Sequence, residues 1–294
     1  AFTSGVISTA STTTTSATIG ATNAVITFGA VTLAGTTELD TNAAANSADL
    51  TLGAVTSGGN NLTLDTSAVA GAAISVASFA GGGVLTIRDS GGTTFAGTVA
   101  AATVALTDTT GTIQFSDNLT VTTALTTASQ AYLVSILGSA NVIAGTTTFL
   151  NTGVVTLGNA GGDSTTFTAG LVATVPSALN IAGTVAANTS TSTMALGDGD
   201  TNVAVTANTT VGGAATGLID IGDATLVDGA TLTVGTGIAN AINLDKVTGT
   251  ASGAVSSLTI NTSGLVNVAE AVGTDIGVVT LTQSGGITFA STVA

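Results

Sequence analysis

Apolar and hydroxyl-bearing residues alternate along much of this chain with a period of two. In the segment GVLTIRDSGGTTFAGTVA (Gly83–Ala100), Leu85, Ile87, Phe95 and Val99 share one parity, and Thr86, Thr94 and Thr98 share the other. Successive side chains of a strand point to opposite sides, so this pattern predicts strands with an aliphatic inner face and a threonine-studded outer face. The pattern recurs. GVVTLTQSGGITFASTVA (Gly277–Ala294) is identical to the first segment at 12 of 18 positions, with Val279, Leu281, Phe289 and Val293 at the inward parity and Thr280, Thr288 and Thr292 at the outward one. A third copy with an insertion, GVVTLGNAGGDSTTFTAGLVA, occupies Gly153–Ala173, and a looser one, LTLGAVTSGGNNLTLDTSAVA, occupies Leu50–Ala70. Each predicts strand, Gly-Gly turn, strand, the glycines supplying backbone with positive φ.

Phenylalanines set the period: Phe95 and Phe115 are 20 residues apart, and Phe149 and Phe167 are 18 apart. That spacing is one coil of a single-stranded parallel β-helix. The expected fold is therefore all-β, a β-solenoid over residues 19–294 preceded by a Thr/Ser-rich arm over 1–18 that contains Ser11, Thr12 to Thr15 and Ser16. Coils of about 20 residues predict about 14 or 15 of them. The competing fold, a sandwich of hairpins, calls for more proline, Asn-Gly and Asp-Gly turns than this chain contains. Tyr132 is expected in a buried strand, because Tyr132, Val134 and Ile136 alternate with Ala131, Leu133 and Ser135.

Composition narrows the role. Of 294 residues, 62 are Thr and 39 Gly, and 44% are hydrophobic, mostly Ala, Val, Leu and Ile, which suits a pleated, half-buried surface and argues against disorder. Only 6% are charged: 16 acidic side chains against Arg88 and Lys246, for a net charge of −14. No basic patch can be assembled from two cations, and a chain of this sign is repelled by nucleic acid and anionic lipid. With no histidine and no cysteine, imidazole bases, thiolates, disulfides and most transition-metal ligation are excluded. The uncharged stretch Ser67–Ile87 is long enough to screen as a membrane span, but its glycines, serines and alanines argue against one. At 3% aromatic content, two aromatic girdles of a membrane barrel cannot be built. Expected cofactors are accordingly none, calcium excepted.

Carboxylates are the remaining chemistry. Asp198, Asp200 and Asn202 in LGDGDTNV have the alternate-oxygen spacing that opens a calcium loop, although Thr209 stands where the closing bidentate glutamate belongs. GNAGGDSTTF around Asp163 is a fainter calcium candidate without tandem copies. Against both stands an ordinary Asx turn. Asp220, Asp223 and nearby Asp228 form the densest acidic cluster, the one candidate for glycoside chemistry, but the chain lacks the cations or aromatic platforms that would line a sugar cleft. No catalytic residue is expected. Arg88 and Lys246 are expected to pair with their sequence neighbours Asp89 and Asp245. Asn-x-Ser/Thr sequons fall at Asn61, Asn118, Asn188, Asn208 and Asn261.

Over Ile19–Ala294, with GGTTFAGTVAAATVALTDTTGTIQF as an example, the periodic composition resembles bacterial exported β-solenoid repeat proteins of the filamentous haemagglutinin and autotransporter-passenger kind. The resemblance implies a right-handed parallel β-helix at the cell surface or in secreted fibres. S-layer proteins, also acidic, Thr-rich and cysteine-free, are the nearest competing resemblance. The resulting expectation is a structural, extracellular, non-enzymatic protein that assembles with itself head to tail into a filament, sheath or adhesive fibre. Surface or matrix glycans are the secondary partner, with no nucleic acid and no membrane span. An S-layer lattice and a polysaccharide-active β-helix enzyme using Asp220 and Asp223 are the alternatives.

Overall fold

The structure, a computed structural model, describes residues 2–44, 48–67, 69–189 and 191–293, without the side chains of 9–11, so Ala1, Ala294 and the Ser11 side chain lie outside the description. Among the described residues there is no helix: parallel strands stack as a β-solenoid of about 12 turns, with about 23 residues per turn. None of the described residues forms a helix long and apolar enough to cross a membrane.

The chain divides into two units, one running to Gly138 with Leu150–Gly153, the other comprising Ser139–Phe149 and the chain from Val154 onward. The first has three walls per coil, its longer strands bending from one wall into the next. One wall stacks β1 (Val6–Thr15), β3 (Ile26–Leu33), β5 (Leu50–Thr56), β7 (Ile74–Ala80), β9 (Thr93–Phe95), β11 (Thr112–Phe115) and β13 (Leu133–Ile136). Another stacks β2 (Thr18–Gly20), β4 (Thr37–Asp40), β6 (Leu62–Asp65), β8 (Val84–Asp89) and the later halves of β10 (Val99–Leu106) and β12 (Leu119–Thr127); the first halves of β10 and β12 lie with the later halves of β3, β5 and β7 on a middle wall, Val99 on Phe79. Residues 1–18, expected as an arm, contribute β1, whose threonines Thr12 to Thr15 lie in register on β3 after a shift following Ser8.

The second unit has three walls. Its first stacks β16 (Val155–Leu157), β19 (Ala178–Ala186), β21 (Asn202–Val211), β23 (Ala224–Leu226), β26 (Val247–Gly249) and β29 (Val272–Gly273). The later halves of β19 and β21 bend into the second wall, with β14 (Ala140–Ile143), β17 (Ser164–Phe167), β24 (Thr231–Val234), β27 (Ser256–Asn261) and β30 (Ile276–Gln283). The third is β15 (Thr147–Thr148), β18 (Leu171–Ala173), β20 (Met194–Leu196), β22 (Ile219–Ile221), β25 (Ile242–Leu244), β28 (Leu265–Val268) and β31 (Gly286–Phe289).

Like stacks on like because the coils are in register. Leu50 lies over Ile74 and Leu52 over Val76, and Phe95 lies over Phe115 with ring centroids 5.1 Å apart and ring planes nearly parallel. Leu85, Ile87, Phe95 and Val99 are buried, whereas Thr94 and Thr98 are exposed and Thr86 half-buried, as the parity predicts. The period read from Phe149 and Phe167 is not a coil. Phe167 stacks on Ile143, while the Phe149 N–H donates to the Val172 carbonyl on the next wall (2.9 Å) and the two rings meet edge-on at 6.2 Å. The contact turns a corner, so 18 residues understates the coil, and the stack has fewer and longer turns than predicted.

The Gly-Gly pairs sit at corners for two reasons. At Gly91 and Gly285 a Cβ would overlap the carbonyl oxygens of Val69 and Ser263 in the preceding coil, and Gly92 and Gly286 have φ of 155° and 151°. The first glycine is needed for close approach and the second for its backbone angle. In the Gly277–Ala294 copy the inward-parity residues are less covered than in Gly83–Ala100. Leu281 and Val293 are 46% and 47% exposed, because no further coil lies on β30 and β31 among the described residues.

Candidate functional site

Charge is concentrated at one corner of each unit. In the first, Asp40, Asp65 and Asp89 end β4, β6 and β8 and lie in register on one another. Asp108 follows in the next coil, its N–H donating to the Arg88 carbonyl (2.8 Å). A parallel ladder holds neighbouring strands about 4.8 Å apart, so carboxylates repeated at one register position repel. Arg88 offsets this. Its Nε donates to Asp65 Oδ2 (2.5 Å) and its Nη2 to Glu38 Oε1. Asp65 is buried, and Arg88 and Glu38 are partly exposed. The expected Arg88–Asp89 pair is not what forms. The register steps from Leu64 on Ile87 to Asp65 on Asp89, leaving Arg88 as the extra residue of a bulge. A bulge re-aims its side chain, here toward the preceding coils.

Burial pushes the Asp40 carboxyl up, against the Asn42 N–H it accepts (2.6 Å), and Asp65 pushes the same way. Asp89 is likewise raised by burial, then by Asp65 and Asp108. The Arg88 guanidinium is held above its ordinary value: burial opposes the charge, and the bonds to Glu38 and Asp65 outweigh it. One oxygen from each of Glu38, Asp40 and Asp65 lies within 4.8 Å of the others. Arg88 already serves this acidic group as its cation. Sequence reasoning missed the cluster because Asp65 is one coil away from Glu38; the signal available was an aspartate ending successive strand segments.

In the second unit the corresponding corner holds Asp198, Asp223, Asp245 and Glu270, each in the turn that follows a third-wall strand. Lys246 Nζ donates to Asp223 Oδ2, one coil below, rather than to the adjacent Asp245. Side chains adjacent along an extended chain point apart, whereas those one coil apart share a column. That bond raises the Lys246 pKa. Asp245, left without the lysine, is raised by burial and then by Asp220 and Glu270.

The other predicted residues have local duties. Asp198 Oδ1 accepts the N–H groups of Asp200 (2.9 Å) and Thr201 (2.8 Å), and Asn202 Oδ1 accepts the Thr225 hydroxyl (3.1 Å). Asp163 Oδ2 accepts the N–H groups of Asn159 and Ala160. Of the carboxylates weighed for catalysis, Asp220 points outward from β22, Asp223 is engaged by Lys246, and Asp228 packs against Gly253 in the turn before β24. Tyr132 is buried. Its hydroxyl donates to the Leu106 carbonyl (2.9 Å) and accepts the Ala128 N–H (3.0 Å), and burial pushes its pKa up to about 12. Two sequon asparagines have a structural use: Asn61 and Asn208 accept the N–H groups of Val84 (3.0 Å) and Thr231 (2.9 Å) in the next coil. A hollow of about 460 Å³ on the third wall is lined by Asn243, Asn267, Thr288 and the exposed Leu265, with Gly286 as part of its floor.

No protein-family model, no curated protein and no solved structure matches this chain.

Proposed function

We propose that this chain is a structural, extracellular protein of a bacterial surface, a solenoid protomer that assembles head to tail into a filament, sheath or adhesive fibre. One observation carries the reading. Coils of this chain stack in register on near-copies of themselves: Gly83–Ala100 and its near-copy Gly277–Ala294 present matching inward residues, and β10 and β11 lie in register on β8 and β9 of the first. A coil of this chemistry is a surface that accepts another coil of the same kind. Two copies stacked in the same way make a heterologous contact, and a contact of that kind propagates. The neutral, hydroxyl-rich sides and the two acidic corners, each partly neutralised from within, suit a durable scaffold.

Sedimentation velocity across a dilution series, with electron microscopy of the same samples, tests the proposal. Filamentous species should grow with concentration and be lost in Leu281→Glu, which places a charge in the junction. A compact monomer at every concentration would refute it. Two-dimensional sheets that require calcium would replace it with the lattice alternative.

A further inference from the structure

On the third wall of the second unit the outward side chains form two columns around the hollow. Asp220, Asn243, Asn267 and Thr288 lie in register on β22, β25, β28 and β31. Two residues earlier on the same coils stand Leu218, Ala241, Leu265 and Gly286. The residues between the columns, Ile219, Ile242 and Val266, are buried, so both columns face outward. Leu265 is 69% exposed, and no large apolar side chain among the described residues is more so. Its neighbours in the column, Ala241 and Gly286, are small, which opens the hollow of about 460 Å³ beside it. Among the described residues, Asp220, Asn243, Asn267 and Thr288 make no side-chain hydrogen bond within the chain.

Each column is complementary to its own reverse. The apolar column runs large, small, large, small, so turning it end for end sets Leu265 against Ala241 and Leu218 against Gly286. The polar column turned the same way sets Asn267 against Asn243, amide on amide, and Thr288 against Asp220, a hydroxyl that can donate to a carboxylate. A single half-turn does both, about an axis that lies along the strands midway between the coils of Asn243 and Asn267. That is the self-complementarity an isologous contact requires. A half-turn about the stacking direction instead sets each coil against the same coil. Asp220 then meets its own copy or Leu218, a carboxylate opposite a like charge or an apolar side chain. Asp220 is the one charged residue of the two columns in a chain of net charge −14, and only the end-for-end arrangement gives it a donor. We infer that this wall binds the same wall of a second copy, side by side and antiparallel, each Leu265 filling the hollow of the other copy. Four coils of one wall make a contact smaller than that of a stable dimer, so single copies pair weakly and reversibly. The contact goes beyond head-to-tail assembly, because it uses the side of the coils and not their ends.

Disulfide trapping tests the contact, because a chain without cysteine reports only engineered thiols. Asp220→Cys mixed with Thr288→Cys should yield a cross-linked pair. Either variant alone should not: each thiol then lies three coils, about 14 Å, from its own copy, and a disulfide tolerates a Cα separation of about 7 Å at most. Further substitutions are made in both cysteine variants, with circular dichroism to confirm folding. Leu265→Glu should lower the yield about tenfold, because it sets an unpaired charge against Ala241. Ala241→Leu, which fills the hollow, should also lower it, and Ala241→Leu combined with Leu265→Ala, which exchanges large for small, should restore it. Leu281→Glu, the variant that disrupts head-to-tail filaments, should leave the yield unchanged, so the two contacts fail separately. The inference is overturned if the mixture cross-links no faster than Asp220→Cys mixed with Thr233→Cys on the second wall. It is equally overturned if Asp220→Cys cross-links to itself as readily, or if the exchange variant restores nothing.

Discussion

The two units handle the same electrostatic problem with different side chains. Each stacks carboxylates at one corner, coil upon coil, and each has one cation. In the first unit Arg88 reaches across coils to both Asp65 and Glu38, and the first of these is buried. In the second unit Lys246 reaches only Asp223, in a pair both of whose members remain partly exposed, and leaves Asp245 facing Asp220 and Glu270. A planar guanidinium with several fixed donors can serve two carboxylates on different coils, whereas an ammonium acts as a point charge. The first corner is therefore a structural clamp, and the second is a relieved repulsion.

The largest expected effect breaks the clamp. Arg88→Met leaves Asp65 buried without its partner and should destabilise the first unit by about 2 kcal/mol, within the range for losing a charged hydrogen bond and a partly buried ion pair. Arg88→Lys should recover only part of this. Denaturant unfolding followed by hydrogen exchange in β4, β6 and β8 reads the change, and unaltered protection there would show that the clamp contributes nothing.

Acid is the next lever, and the sign is the reverse of ordinary acid denaturation. Asp40, Asp89 and Asp245 have folded pKa values above the 3.8 of a free aspartate. A carboxyl raised on folding stabilises the fold fully below its unfolded pKa and loses that contribution as pH rises through its folded pKa. Their share of stability should therefore grow as pH falls from neutral toward about 4. Arg88 and Lys246, also raised, keep their contributions at neutral pH and lose them only in strongly alkaline solution. Asp40→Asn should flatten the acid-side slope for the first unit and Asp245→Asn for the second; slopes that match the native chain would contradict the stacked-charge account.

The smallest effect is expected at the other cation. Lys246→Met removes an exposed pair and should cost no more than about 0.5 kcal/mol, read in the same unfolding experiment. A loss equal to that of Arg88→Met would erase the contrast between the units.

Much of the architecture was legible in the chain. The alternation of Leu85 and Ile87 with Thr86 depends only on the two-residue period of a strand, and Phe95 on Phe115 depends only on a constant coil length between them. The burial of Tyr132 followed from the same parity, although the residue stands just before β13 rather than within a strand. The errors lie where the chain turns a corner or slips register. Phe149 and Phe167 touch across a corner, so their spacing misstates the coil. Arg88 is aimed by a bulge that shows only when β8 is laid on β6. The cluster of Glu38, Asp40 and Asp65 likewise exists only once coils of unequal length are stacked.

By itself, then, the sequence determined the strand pattern, the parallel stacking of coils, the aliphatic interior and the hydroxyl surface, because each follows from a local period or from a repeat that can bury its apolar face only against a copy of itself. The tertiary structure decided which residues meet between coils: the partners of Arg88 and Lys246, and the shared corners of the carboxylates. Those depend on register, and register is set by loop lengths, bulges and glycine corners summed over a whole turn, a quantity that no local window of the chain contains.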